Sequence, residues 1–196
     1  STTGDSSPAI MIADGGDILI ADGGSFTTSG AMSQGIYSKG DVTVTNASVN
    51  ALNAKAAVLK GNNTITLSGT TLEGKETTDT VPYNIVLFSD EKDIGTMGAQ
   101  HFDVRGGYLI SHKGGMFYVT ATHGKISLNG TAITMDDPAA NLITVAGNDG
   151  ANGWGTPGRN GGHVELVADN QVLTGNISVD SISNINMTLK NNSTFN

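Results

Sequence analysis

Phe102-Asp103-Val104-Arg105-Gly106-Gly107-Tyr108-Leu109 and Ile126-Ser127-Leu128-Asn129-Gly130-Thr131-Ala132-Ile133 follow one pattern. Each runs apolar, polar, apolar, polar, then a glycine, then a second short run that ends apolar. Period-2 alternation is strand geometry, and a glycine after it marks a turn. The same order recurs as ILIADGGSF from Ile18, VTVTNASV from Val42, ITLSGTTL from Ile65, VELVADNQV from Val164 and INMTLKNNS from Ile185. The starts are separated by 24, 23, 37, 24, 38 and 21 residues. Four of these six intervals lie between 21 and 24, so each of the two longer ones carries an insertion.

Another apolar run precedes each of these stretches: Ile10–Ile12, Ile36–Ser38, Val58–Lys60, Ile85–Phe88, Met116–Val119, Leu142–Val145 and Ile177–Val179. A third falls around Phe26, Val49, Leu72, Leu109 and Ile133. Each unit therefore holds three short strands. Asp22, Asn46, Gly69, Gly106 and Gly130 stand at one offset within five of the units, and Gly, Asn and Asp are the residues that tolerate a left-handed backbone. In the last two units Asp169 and Asn191 are displaced from that offset. An antiparallel β-sandwich also has many short strands, but it does not require a left-handed turn at a fixed phase. The expected fold is all-β, a single-stranded right-handed parallel β-helix of about seven coils with two inserted loops, in which each coil stacks on the last at about 4.8 Å. A strict six-residue repeat, the mark of left-handed β-helices, is absent.

Composition agrees. Gly, Thr, Asn and Ser make 84 of the 196 residues, and all four are poor helix formers. Yet 37% of the chain is hydrophobic and regularly placed, which separates it from a disordered polar tract. Net charge is −8, from 18 acids against 10 bases. Nucleic acid and anionic membrane surfaces are excluded as expected partners, because no basic face exists to neutralise phosphates. No apolar run approaches the roughly 20 residues of a membrane-spanning helix. There is no cysteine, hence no disulfide, thiolate metal site or cysteine nucleophile.

Function in a solenoid is expected where the repeat is interrupted. One insertion runs from Ser89 to Gln100 and the other from Gly147 to Gly162. Both leave the same junction of their units, so they should protrude from one edge. The unit between them offers Thr122-His123-Gly124 as the floor of a notch. One wall would present Asp90, Asp93 and Gln100, the other Asp149, Asn152, Trp154 and Arg159. Trp154, the single tryptophan, either stacks on a sugar ring or folds back to cover the coils. Calcium takes several oxygens from carboxylates in loops, so Asp90 and Asp93 are the candidate metal ligands, against a plain solvated acidic edge. Asp14, Asp17 and Asp22, with Asp136 and Asp137, form further acidic turns. Asp103 and Arg105 alternate about Val104 and should share one outward face, as an ion pair or as a catalytic pair. His101, His112, His123 and His163 lack the spacing of a helical metal motif.

Trp154-Gly155, Asn160-Gly161-Gly162, Val164, Gln171, Leu173-Thr174-Gly175, Ile177, Val179 to Ser183 and Leu189 resemble right-handed β-helix repeat domains of large bacterial surface proteins. Met116 to Thr120 is similar to the same group, which is described as adhesin-like or carbohydrate-binding. The resemblance implies a secreted or cell-surface bacterial location and a non-catalytic adhesion or carbohydrate-binding module. Its partner would be a polysaccharide or host glycan, alongside other domains of the same surface protein. The alternatives are a structural stalk segment and a polysaccharide lyase or hydrolase. No cofactor is implied beyond the calcium considered above. Residues 1–196 are expected to form one β-helix domain. Neither end shows a polar cap, so the chain is expected to be a segment of a larger surface protein that continues in further coils.

Overall fold

The computed structural model describes residues 1–78, 82–89, 99–150 and 155–196, and in it the chain winds as a right-handed parallel β-helix of seven coils. Coil 1 holds β1 (Ile10–Ile12), β2 (Ile18–Asp22) and β3 (Ser25–Thr28). Coil 2 holds β4 (Ile36–Ser38), β5 (Asp41–Thr45) and β6 (Ser48–Ala51). Coil 3 holds β7 (Ala57–Lys60), β8 (Thr64–Ser68) and β9 (Thr71–Gly74). Coil 4 holds β10 (Tyr83–Phe88), β11 (Ala99–Arg105) and β12 (Tyr108–Ser111). Coil 5 holds β13 (Gly115–Thr120), β14 (His123–Asn129) and β15 (Ala132–Met135). Coil 6 holds β16 (Asn141–Val145), β17 (His163–Asp169) and β18 (Val172–Leu173), and coil 7 holds β19 (Asn176–Val179), β20 (Asn184–Lys190) and β21 (Thr194–Phe195). The first strands of the coils form a seven-stranded parallel sheet, and the middle strands form a second. The third sheet joins β3, β6, β9, β12 and β15, while among the described residues β18 and β21 pair only with each other.

The core is a set of stacked apolar columns. Leu19, Val42, Ile65, Phe102, Ile126, Leu166 and Met187 lie in register along the middle sheet. Val42 to Leu166 in that column are fully buried. Burying each such side chain contributes about 1.5–3 kcal/mol. Phe102 meets Phe117 of the first sheet edge-on at 5.9 Å between ring centroids, closing the space between the two sheets.

The turn after the middle sheet follows a single rule. Gly23, Asn46, Gly69, Gly106, Gly130, Asn170 and Asn191 all have φ between 47° and 74°. From Gly23 to Asn170, each donates its N–H to the carbonyl just before its counterpart in the next coil, at 2.7–3.2 Å. Three coils, the first, sixth and seventh, differ from the sequence expectation. Asp22 is the last residue of β2 and pairs with Thr45, so the turn residue of coil 1 is Gly23. Leu19, not Ile18, pairs with Val42, and Ile18 and Ile20 are outward and 71% and 74% exposed. In coils 6 and 7 the turn residues are Asn170 and Asn191, because Ile126 pairs with Leu166 and Leu166 with Met187. With this register all seven coils place a left-handed residue at one phase.

One charged pair is enclosed where coil 3 leaves the third sheet. Lys55 Nζ lies 3.1 Å from Glu76 Oε2, and both side chains are nearly inaccessible. Thr78 donates its N–H and its hydroxyl to Glu76 Oε1, each at 2.7 Å. Burial alone would raise the Glu76 carboxyl, but the Lys55 charge and the Thr78 hydrogen bonds outweigh it and hold the group below the usual carboxylate range.

Two expectations follow. Lys55→Ala leaves the Glu76 carboxylate buried without its cation and should cost about 3–5 kcal/mol, read from urea unfolding. A loss under about 1 kcal/mol would show that the pair is solvated. At the turn, an added Cβ on Gly106 meets no atom within 4 Å, so only the left-handed backbone resists substitution. Gly106→Asn should be nearly neutral, as asparagine already serves in three coils, whereas Gly106→Val should cost about 1–3 kcal/mol. Equal unfolding midpoints for the two variants would contradict the shared left-handed turn.

Candidate functional site

The junction between the first and middle sheets is where the two insertions leave. In coil 5 the chain crosses it with Ala121 and Thr122 alone. Ala121 has a φ of 52°, strained for a residue with a Cβ, and donates its N–H to the Asn160 carbonyl at 2.9 Å. His123, the first residue of β14, is therefore delivered to the edge of the middle sheet between the bases of the two insertions, as the spacing implied. Its ring is exposed and lies 4.7 Å from that of His163, tilted by 43°.

Of the seven expected wall residues the structure describes three, Gln100, Asp149 and Arg159. Asp90, Asp93, Asn152 and Trp154 lie outside the described residues. Gln100 is a correction: it is fully buried, and its amide donates to the Phe88 carbonyl at 2.7 Å and to that of Leu59 at 3.4 Å. The carboxamide thereby ties the start of the middle strand to the end of the first strand of its own coil and to the first strand of coil 3, where the Phe88 carbonyl also accepts the Gly61 N–H at 3.3 Å. Gln100 therefore faces the core and cannot line an open wall. Asp149 sits beside the first sheet. Burial pushes the Tyr118 hydroxyl above the ordinary tyrosine value, and the Asp149 charge pushes it further. That hydroxyl donates to the Gly147 carbonyl at 3.1 Å. The Gly147 N–H donates to Asp180 at 2.7 Å, and this bond, with others from residues 182 and 183, holds the Asp180 carboxyl below its usual range despite partial burial. The described base of the second insertion is thus anchored on the first sheet and coil 7. Arg159 is exposed, and its carbonyl accepts the Asn148 N–H at 2.6 Å.

What the junction opens onto is the outer face of the middle sheet. Outward positions of β11, β14, β17 and β20 align in register. One row holds Ala99, His123, His163 and Asn184, and the next holds His101, Lys125, Glu165 and Asn186. A third row holds Asp103, Ser127, Val167 and Thr188, and a fourth Arg105, Asn129, Asp169 and Lys190. Asp103 and Arg105 share the outward face, as their alternation implied. Lys125 Nζ lies 3.6 Å from Glu165 Oε2, an exposed pair worth little by itself. Two adjoining shallow depressions mark this face, of about 520 Å³ around His123 and His163 and about 350 Å³ around Asp103 and Arg105. The sequence placed His123 between the two insertions but missed that His101, His163, Asn184 and Asn186 share its surface. The signal was their common parity within aligned strands.

Elsewhere, acidic residues work as local acceptors. Asp137 takes the Ala139 N–H at 3.0 Å, and Asp41 takes the Thr64 N–H of the next coil at 2.7 Å. Asp136 and Glu73 flank His112 on the third sheet: His112 Nδ1 lies 2.8 Å from Asp136 Oδ2, and Nε2 lies 2.5 Å from Glu73 Oε1. Among the described residues no group of three or more acidic or histidine side chains is placed to hold a metal ion. No protein-family model, curated protein or solved structure matches this chain.

Hydrogen bonding to Asp136, then to Glu73, raises the His112 pKa above its ordinary value of 6.5. The imidazolium then ties coils 3, 4 and 5 together. Since the folded value is the higher one, this stabilisation is full below about 6.5 and is lost as pH rises through the folded value. His112→Gln should therefore lower the unfolding temperature more at about pH 5.5 than at about pH 9. A deficit that stays constant across that range would contradict the charged bridge.

Proposed function

We propose that this chain is a non-catalytic carbohydrate-binding or adhesion module, which meets a polysaccharide with the outer face of the middle sheet between coils 4 and 7. The supporting observation is the set of aligned rows carrying His101, His123, His163, Asn184 and Asn186 beside Asp103, Arg105, Lys125 and Glu165. These side chains offer donors and acceptors at intervals of about 4.8 Å along the helix axis, the strand spacing of any sheet. A chain of hydroxyl-bearing rings can be bonded repeatedly along such an array. The depressions are open and shallow, which suits a polymer laid across them better than a small molecule enclosed on all sides.

Both charge signs are present on the face, while the protein as a whole is acidic. A neutral polysaccharide meets no net repulsion there, whereas a strongly anionic one would need a bridging cation such as calcium. Affinity should be micromolar to millimolar, because exposed polar groups must shed water to bind. The resemblance to bacterial surface domains supports a secreted or cell-surface location within a larger protein. A structural stalk segment is the competing reading, and it predicts no binding at all.

Affinity electrophoresis against a panel of soluble plant and bacterial polysaccharides tests the proposal. The intact chain should be retarded by at least one of them without releasing reducing or unsaturated products. Each exposed hydrogen bond contributes about 1 kcal/mol, so His123→Ala combined with His163→Ala should weaken retardation about tenfold or more. The unfolding midpoint should move little. Retardation by no polysaccharide would favour the stalk, and product release would make the chain an enzyme.

A further inference from the structure

The third sheet is interrupted between coils 5 and 6, although the turn beside it is intact, with the Gly130 N–H on the Asp169 carbonyl at 3.2 Å. On β15, Ala132 and the following Asp136 donate to the carbonyls of Gly107 and Ser111 in coil 4, each at 3.0 Å. In a parallel ladder the intervening residues, Ile133 and Met135, turn their N–H and C=O groups the other way. Among the described residues no strand pairs with them there. On the opposite bank, Gln171 and Leu173 give their carbonyls to Thr194 and Asn196 of coil 7, each at 2.9 Å. By the same alternation Val172 and Thr174 turn toward coil 5. Two banks of strand backbone thus face each other across a cleft of about 750 Å³. The cleft is lined by the partly buried side chains of Ile133 and Met135.

One end of this cleft already holds a substitute for a peptide group. The Gln171 carboxamide accepts the Thr131 N–H at 2.8 Å and donates to the Thr131 carbonyl at 2.7 Å and to the Val172 carbonyl at 3.0 Å. A side-chain carboxamide carries the same donor and acceptor as one peptide unit. It takes the rung that the next coil's backbone fills elsewhere in the sheet, where Ala132 bonds Gly107 and Tyr108 bonds Thr70. Beyond this rung the cleft runs on past Met135 and Thr174, with no such group between the banks among the described residues.

We propose that the cleft is a binding site for an extended polypeptide segment, which enters as one added strand between β15 and β18. Its backbone pairs with Ile133 and Met135 on one side and with the Val172 N–H and Thr174 on the other, continuing the sheet that Gln171 begins at the Val172 carbonyl. Alternate side chains of the segment point inward to Ile133 and Met135, so small or β-branched apolar residues fit at those positions. The site is independent of the polysaccharide face, which lies on a different sheet.

The test uses the intact ¹⁵N-labelled chain and two capped hexapeptides of alternating threonine and valine, one ordinary and one N-methylated at every residue. Amide exchange of Ile133, Met135 and Thr174 is read with each peptide at about 1 mM, a concentration suited to a weak open site. The ordinary peptide should slow exchange at these amides about tenfold or more and leave Val44 and Leu128, deep in the middle sheet, unchanged. The N-methylated peptide, which has no backbone donors, should have no effect. Equal effects of the two peptides would reduce the cleft to an apolar contact and overturn strand addition. No effect of either peptide would overturn it too. So would strong protection of Ile133 and Met135 in the free protein, since the two banks would then be paired with each other.

Discussion

In each of coils 1 to 6 one backbone amide, carried by a residue in left-handed conformation, donates to the carbonyl just before the matching residue of the next coil. The bond recurs from Gly23 to Asn170 at 2.7–3.2 Å and locks the phase of every turn to the phase of its neighbour. Sheet register follows from it, because a turn held at one phase fixes which residues of the preceding strand face inward. A slip of one residue would exchange Ile65 with Thr66 and Ile126 with Ser127, and so empty the core column. The residue type is set by the same bond. Only glycine and asparagine occupy the seven positions, since the conformation disfavours a branched Cβ. The rule extends one step further at Gly107, where an added Cβ would fall 2.2 Å from the Thr70 carbonyl oxygen of the coil below.

The same regularity produces the surfaces proposed for binding. Alternation places every second residue of the middle strands outward, and register turns those residues into rows across four coils. The junction before the middle sheet is not bound by the turn rule, so it accepts insertions in coils 4 and 6 while coil 5 crosses in two residues. Ala121 carries the strain of that short crossing and sets His123 at the mouth of the face. Polar side chains bond the backbone at two further places: Gln100 joins the first and middle strands of coil 4 through the Phe88 carbonyl, and Gln171 spans coils 5 and 6 where the third sheet is interrupted.

Much of this was legible because the turn and the core use different residue types. Asn46, Gly69, Gly106 and Gly130 stand out against Val42, Ile65, Phe102 and Ile126, and their offset gives the coil. Coil 1 was read one residue early because Ile18-Leu19-Ile20 is apolar throughout and carries no parity of its own. Coils 6 and 7 read two residues early because Val164 and Ile185 are apolar at the inward position that Gln100 and Gly124 hold in coils 4 and 5, so the first apolar residue falls one inward position before Leu166 and Met187. Counting back from the left-handed residue, rather than forward from the first apolar one, gives the right phase in every coil. The expected notch failed at Gln100, since sequence position beside an insertion says nothing of whether an amide is needed inside. The Glu73–His112–Asp136 bridge joins residues up to 63 positions apart, and it becomes visible only once Ser111 is known to pair with Met135 and Gly74.

Native-state amide hydrogen exchange at the turn column tests the fold's governing constraint most directly. Turn amides of solvent-exposed loops exchange freely, whereas amides bonded between coils open only with the stack. Asn46, Gly69, Gly106 and Gly130 should therefore fall in the slow class with the buried strand amides of Val44, Leu67, Val104 and Leu128, and the four should lose protection together under mild denaturant. If these four exchanged at the rates of exposed loops while the strand amides stayed protected, the turn bond would not be what holds the coils in phase.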